Sequence, residues 1–419
     1  MAWRAALPLR CLWVWRLGCR ARKHYGRCDC KVGESLPKDN PYQESPKYRS
    51  PWADFSVTFL PRAVRMMILE LLHFPHTRQC GNDSRVDPCH FRSRSQDLEN
   101  SFEIRMPSLS RYAGQTANTS TRRSVRLIDE CLTEESIDEP FLIVDHFFHE
   151  NSFWRARIPL NSVVHVFGQA FNFSKIKFRN VNGRSEPVLG RDGIPKRKIP
   201  QLNHVQSRFL LSQDSPVELF PLGKDIDGEP WHLVQDFVYS IEAVGPEGVN
   251  FNLRDALGGH LLSMHRFMST RQMVFERVVV EGQYVTESPP LPLTESSMRA
   301  LLVKSLFRSH RAGTGEAYYM YRCCATNNCT SNPFQILDRV VSYPMPYRLG
   351  AFLYRLPLSP RFYLRVRGLD TDSSVRKLVR DEFQDYVQDP ETKKQKRAYV
   401  RQMTQAVRKA RQAQQAEDS

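Results

Sequence analysis

The chain has 419 residues, 41% of them hydrophobic and 25% charged, with 60 Lys and Arg against 45 Asp and Glu for a formal net charge of +15. That apolar content supplies cores for two or three domains and excludes a disordered or fibrous chain, while the positive balance favours anionic partners and says nothing of fold. Ten cysteines at irregular spacing exclude a zinc module or a regular disulfide scaffold: Cys28 and Cys30 are too close for a ligand pair, Cys80 and Cys89 too far apart, and Cys323 and Cys324 adjacent.

In chain order, Ala5 to Gly18 is apolar and aromatic, but Arg10 and Arg16 leave no signal-peptide core of adequate length. Phe59 to Phe74 carries Arg62, Arg65 and Glu70 among apolar residues, which predicts an amphipathic helix, packed on protein in preference to a membrane. Nowhere does an apolar run approach the roughly 18 to 20 residues of a spanning helix. Thr77 to Glu135 is rich in Ser, Arg, Asn and Thr with weak periodicity and reads as loop. Residues 1–135 are therefore expected to form a basic, weakly structured N-terminal region.

The core is expected over 136–345. Phe141 to Phe148 reads as a buried strand or short helix and Ser162 to Phe167 as another strand, followed by a basic stretch with Gly and Pro from Arg179 to Pro200. His204 opens a strand-like run to Leu211. Val234 to Val244 alternates, with Phe237, Tyr239, Ile241 and Ala243 on one face and Val238, Ser240 and Glu242 on the other. Gln272 to Val280 is predicted as a further strand. Thr294 caps a helix whose Met298, Leu301, Leu302 and Leu306 share one buried face, and Gly313 and Gly315 end it. Tyr318, Tyr319 and Tyr321 then pack that helix or wall an acyl pocket.

The run Asn327 to Pro333 places Cys329 just ahead of a helix start. Pro333 is tolerated only in a first turn, so the helix is predicted to begin near Asn332 and to run through Phe334, Ile336, Leu337, Val340 and Val341. Unpaired N–H groups and the positive dipole end would lower the thiol below its ordinary pKa of about 8.5. The plainer reading is an ordinary Cys in a polar loop. A thiol nucleophile needs a base; His204 is one choice among the chain's twelve His residues.

His204 with its strand, the run Asp236 to Ala243, the run Arg271 to Arg277, a helix, and Asn328, Cys329 and Thr330 come in an order that resembles the Lnb N-terminal periplasmic domain family. The likeness spans about the middle half of the chain. It implies an α+β, circularly permuted papain-like core of the NlpC/P60 type in the bacterial envelope, with His ahead of Cys. Its best understood members move an acyl chain within a lipoprotein. By position, the resemblance makes Cys329 the nucleophile and His204 the base. Glu242 is the candidate to orient the imidazole if its strand neighbours that of His204, against the simpler role of an exposed or paired carboxylate.

Residues 346–419 form an aromatic and basic segment and a C-terminal helix. Tyr347, Phe352, Tyr354, Phe362 and Tyr363 mixed with Arg348, Arg355, Arg361, Arg365 and Arg367 suit a bilayer headgroup layer; single-stranded nucleic acid is less favoured, since no binding motif accompanies them. Lys393 to Arg411 is predicted as a basic helix with Tyr399, Met403, Ala406, Val407 and Ala410 on one side. The expected partners are an anionic membrane surface or an acylated lipoprotein or lipid. No cofactor or metal is expected: the chain has no Gly-rich phosphate loop and no His-Glu-x-x-His pattern, and Gly258, Gly259 and His260 are too short a signal. The function classes in contention are acyl transfer, thiol hydrolysis, and non-catalytic binding at a membrane surface on the same scaffold.

Overall fold

The computed structural model describes residues 102–417 apart from 130–131, 133, 135–138, 191–192, 201, 225, 250, 323–324, 345–346, 348–358 and 371–375. The expectations for Ala5 to Gly18 and Phe59 to Phe74 lie outside these residues.

A mixed sheet of 13 strands dominates an α+β fold. In chain order its strands are β1 (Arg126–Leu127), β2 (Phe141–His149), β3 (Ser152–Pro159), β4 (Val163–Asn172), β5 (Asn203–Leu211), β6 (Val217–Pro221), β7 (His232–Val234), β8 (Asp236–Val244), β9 (Leu261–Ser269), β10 (Thr286–Glu287), β11 (Ala317–Arg322), β12 (Ala325–Asn327) and β13 (Lys377–Leu378). The main path runs β7-β6-β3-β2-β9-β8-β5-β4-β10-β13, with β1 on β2 and the β11–β12 pair on the end of β9. Every contact is antiparallel except β2 against β9. Exposed hairpins lie outside it, among them Phe178–Val181 with Arg184–Pro187, the basic stretch before β5.

The helices are α1 (Leu253–Gly258), α2 (Thr270–Met273) running into a π-helix (Val274–Val280), α3 (Glu295–Ala312), α4 (Ser331–Val340), α5 (Pro360–Arg365), α6 (Val379–Glu382), α7 (Gln384–Gln388) and α8 (Pro390–Glu417). Period-two alternation sorts the central strands into two faces. Phe209, Phe237, Tyr239, Ile241 and Phe267 join Leu301, Leu302 and Leu306 of α3 and Phe334, Ile336 and Leu337 of α4 in the larger core. Val238, Met268 and Phe171 point the other way, into a smaller core with Met273, Val274 and Val278.

Thr294 caps α3 through its side chain, accepting from the Ser297 N–H, and Gly313 with φ 52 stops it. The run read as a strand from Gln272 to Val280 is helical instead. Ser269 accepts from the Gln272 N–H to start the turn, and the Val-rich sequence is buried on all sides, so no helical stripe shows and strand propensity is overridden by packing. The described part of Thr77 to Glu135 is not simply loop. It holds a short hairpin, Glu103–Arg105 with Thr116–Asn118, and Val125 and Leu127 enter the main core beside β2.

Candidate active site

Cys329 sits at the end of the β11–β12 hairpin, immediately before α4. The predicted helix start at Asn332 falls one residue inside the observed one, with Pro333 in the first turn. The thiol docks where two strands separate. β5 pairs with β8 only from Gln206 onward, opposite Ser240, while β8 continues along β9 to Val244. The backbone of Asn203 to Val205 is thus open on that side. Cys329 donates to the Asn203 carbonyl at 3.8 Å, and Thr330 Oγ1 donates to the same oxygen at 3.2 Å. Tyr318 of β11 donates its hydroxyl to Sγ at 3.4 Å.

Two opposed effects act on this sulfur. Burial, with only 5% of the residue exposed, pushes the thiol up; hydrogen bonds from Tyr318, the Val205 backbone and Thr330 pull it down, and burial wins. The expected activation by the helix start is not what governs it. The N–H groups of Thr330 and Ser331 both donate to Asn328 Oδ1 at 2.9 Å, and that of Asn332 goes to the Asn328 carbonyl. Asn328 therefore caps α4 and occupies the donors that a developing oxyanion would use.

His204 lies one residue from the carbonyl that holds the thiol, but its ring is on the other face of the sheet. It stacks on Phe171 with centroids 4.8 Å apart, and Nε2 pairs with Ser240 Oγ at 2.8 Å. Burial, then the charge of Arg277, pushes the imidazole down to about 3, so it is neutral and weakly basic. The pairing of this imidazole with the Cys329 thiol, expected from position, is not made. Alternation is the reason: Val205 shares the core with Cys329, so its neighbour His204 must face away.

Glu242 follows His204 to that second face without a hydrogen bond to it. Its Oε1 accepts from Arg266 at 2.7 Å and from Arg277 at 2.5 Å, and Oε2 lies 3.1 Å from Arg122. Burial alone would raise this carboxyl; Arg266, Arg277 and Arg122 outweigh it and hold it well below the usual range. It is a buried, ion-paired carboxylate, and it acts on His204 only through its charge.

Sequence reasoning missed the groups that do touch the sulfur: the Tyr318 hydroxyl, the Thr330 hydroxyl and the Asn203 carbonyl. Tyr318 was visible only as one of three clustered tyrosines, and its partner follows from the β11–β12 hairpin returning the chain beside it. Next to Asn203 a cleft of about 360 Å³ is lined by Phe171, Tyr284, Pro360, Arg197 and Arg361, mixing apolar walls with guanidinium groups.

The C-terminal expectations divide. Arg367 and Tyr363 are core, not headgroup-facing: Arg367 holds Asp338 with two hydrogen bonds of 2.7 and 2.8 Å, and Tyr363 packs on Phe334. Arg361 and Arg365 keep part of their surface and flank Asp370. Among the described residues no helix is long and apolar enough to cross a membrane. Fold and site together define an α+β protein with a buried cysteine, hydrogen-bonded to Tyr318 and to the Asn203 carbonyl, just ahead of a helix start. No family model, curated protein or solved structure matches the chain.

Proposed function

We propose that the chain is an envelope-associated thiol acyltransferase-like protein of the permuted papain type, with Cys329 as nucleophile and an acylated lipid or lipoprotein as substrate. The observation that carries this reading is the polar setting of the thiol: the Tyr318 hydroxyl donates to Sγ at 3.4 Å, and Sγ in turn donates to the Asn203 carbonyl, which the Thr330 hydroxyl also holds. A cysteine kept only for packing is surrounded by apolar groups, whereas donors of this kind stabilise a thiolate once water or substrate relieves the burial. The cleft beside Asn203 is not lined by Cys329 itself, but it suits a substrate with an apolar chain and an anionic head, since Tyr284 and Pro360 meet Arg197 and Arg361 there.

In the proposed step the sulfur attacks an acyl ester carbonyl. A thioester forms, the ester C–O bond breaks, and the thiol proton ends on the departing alcohol. An amine, or water in a hydrolase, then takes the acyl group: the thioester C–S bond breaks and a proton of the amine or water returns to the sulfur. The sulfur must first leave the Asn203 carbonyl and the Asn328 side chain must release its N–H groups, so the described form is a resting one. His204 serves this scheme only indirectly, through the β5 backbone it anchors.

A second reading, a non-catalytic binding protein on the same scaffold, is favoured by the raised thiol and the occupied N–H groups. An acyl-ester activity probe separates the two. Labelling that vanishes in Cys329→Ala and falls about tenfold in Tyr318→Phe supports the enzyme. Undiminished labelling of Cys329→Ala rules out this nucleophile, and no labelling of the wild type leaves the binding protein.

A further inference from the structure

At the other end of the central strands from Cys329, the turn between β2 and β3 brings His149 and Glu150 beside His232 at the start of β7, with one potential ligand atom from each within 4.8 Å of the others. We propose that these three residues form a divalent transition-metal site, two imidazole nitrogens and one carboxylate oxygen, whose natural occupant is zinc. The topology explains the meeting. β7 pairs with β6 and β6 with β3, so His232 lands over Trp154 and against His149, with ring centroids 4.7 and 5.0 Å away.

The surroundings of the trio are those of a prepared ligand set. His149 is buried, and its Nδ1 is already paired with Ser269 Oγ at 2.8 Å, which orients the ring and leaves Nε2 directed at Glu150, 3.9 Å from Oε1. Trp154 Nε1 donates to the His149 carbonyl at 3.0 Å and fixes the backbone there. A polar partner on one imidazole nitrogen while the other faces a ligand is the usual outer-shell arrangement around protein-bound zinc. The turn is clamped as well: the Asn151 N–H donates to Gln272 Oε1 at 3.0 Å, and Gln272 Nε2 returns to Asn151 Oδ1 at 3.1 Å.

Glu150 sits where its backbone does not favour it. Glu150 and Asn151 have φ of 47° and 60°, the left-handed pair of a two-residue hairpin turn, a place where Asn or Gly costs less than Glu. A carboxylate there supplies what Asn would not. Zinc bonds of about 2.0 to 2.2 Å require the ligand atoms to close by on the order of one ångström. Glu150, whose side chain is 53% exposed, is free to make that movement. With no thiolate in the set and one position left over, borderline metals are favoured, and water or an outside ligand would complete the coordination.

The test titrates the metal-free full chain with ZnCl2 by calorimetry and with Co2+ by its visible d–d bands. One saturable site is expected in the wild type. Glu150→Asn relieves the turn while removing a ligand, so it should keep or raise Tm yet weaken binding at least about tenfold, and His232→Gln should do the same to affinity. Equal affinity in wild type and both variants, or no saturable binding in the wild type up to about a hundred times the chain concentration, would overturn the site. Zinc held by cysteines would appear as that unchanged affinity.

Discussion

The two faces of the central strands differ in what joins them to their helices: one is an apolar core, while the other adds buried ion pairs to a smaller apolar core. On one, Phe209 and Phe237 stack with centroids 5.3 Å apart and Phe267 and Tyr239 fill the space beneath α3 and α4. On the other, Arg208 holds Asp236, Glu287 and Glu382, while Arg266 holds Glu242 and Glu276 and Arg277 reinforces Glu242. Apolar packing accepts any side chain of suitable volume and is indifferent to direction. Buried ion pairs are not, because each unpaired charge is expensive, and so they dictate which helix sits there and in which register. That face accordingly receives the π-helix, through Glu276 and Arg277, and α6, through Glu382.

The largest effect should come from the apolar face. Phe237→Ala removes a fully buried ring from the centre of the larger core and should cost about 3 to 5 kcal/mol in chemical denaturation. Arg266→Met is next, at about 3 kcal/mol. Methionine retains the packing of the stem over Phe148, whose ring lies 4.9 Å from the guanidinium, and Glu242 keeps Arg277, but Glu276 loses its main partner. If Arg266→Met proved neutral, the ion pairs would be replaceable by volume alone and the contrast between the faces would collapse.

Acid sharpens the same contrast. Glu242 and Glu276 are raised by burial but brought below their ordinary value of 4.5 by the neighbouring arginines, and Glu382, partly buried, is lowered to about 2 by its bonds with Arg208 and Lys377. Carboxyls depressed in the folded state stabilise it fully above about 4.5 and lose that contribution as pH falls through the folded values. Denaturation midpoints should therefore drop between about pH 4.5 and 2. The drop should be smaller in Glu382→Gln than in the wild type, and equal slopes would show that α6 is not held by this charge.

How much of this was legible follows the same divide. The apolar face was readable because alternation in Val234 to Val244 and the spacing of Met298, Leu301, Leu302 and Leu306 are set by geometry alone. The start of α4 just after Cys329 was readable to within a residue because Pro333 is confined to a first turn. The charged face was not, since its pairs join residues as far apart as Arg208 and Glu382, and nothing local in either announces the other. The helix over Gln272 to Val280 was hidden for the same reason, its Val-rich run being fixed by Glu276 and Arg277 meeting the sheet. At the candidate site, the residues of β5 and α4 were identified but not the face. Alternation from Val205, already in the sequence, would have turned His204 away from the thiol, had the strand's inner side been known.

The smallest effect on stability should come from the distal half of α8. Thr392 is buried and Tyr399 meets Phe275 edge-on at 5.8 Å, which ties the first turns to the π-helix, but Val400 and Met403 are 43% and 45% exposed. The described side chains from Val400 to Gln405 are exposed, so removing 401–419 should change stability by less than about 0.5 kcal/mol. Those residues include Arg401, Arg408, Lys409 and Arg411, each worth about 1 kcal/mol near an anionic bilayer. Sedimentation with phosphatidylglycerol vesicles should show salt-sensitive binding by the full chain and a clear loss in the truncated one, with Tm unmoved. A truncation that lowers Tm by several degrees would mean that α8 continues the charged face along its whole length, and that its basic residues serve the fold before they serve any surface.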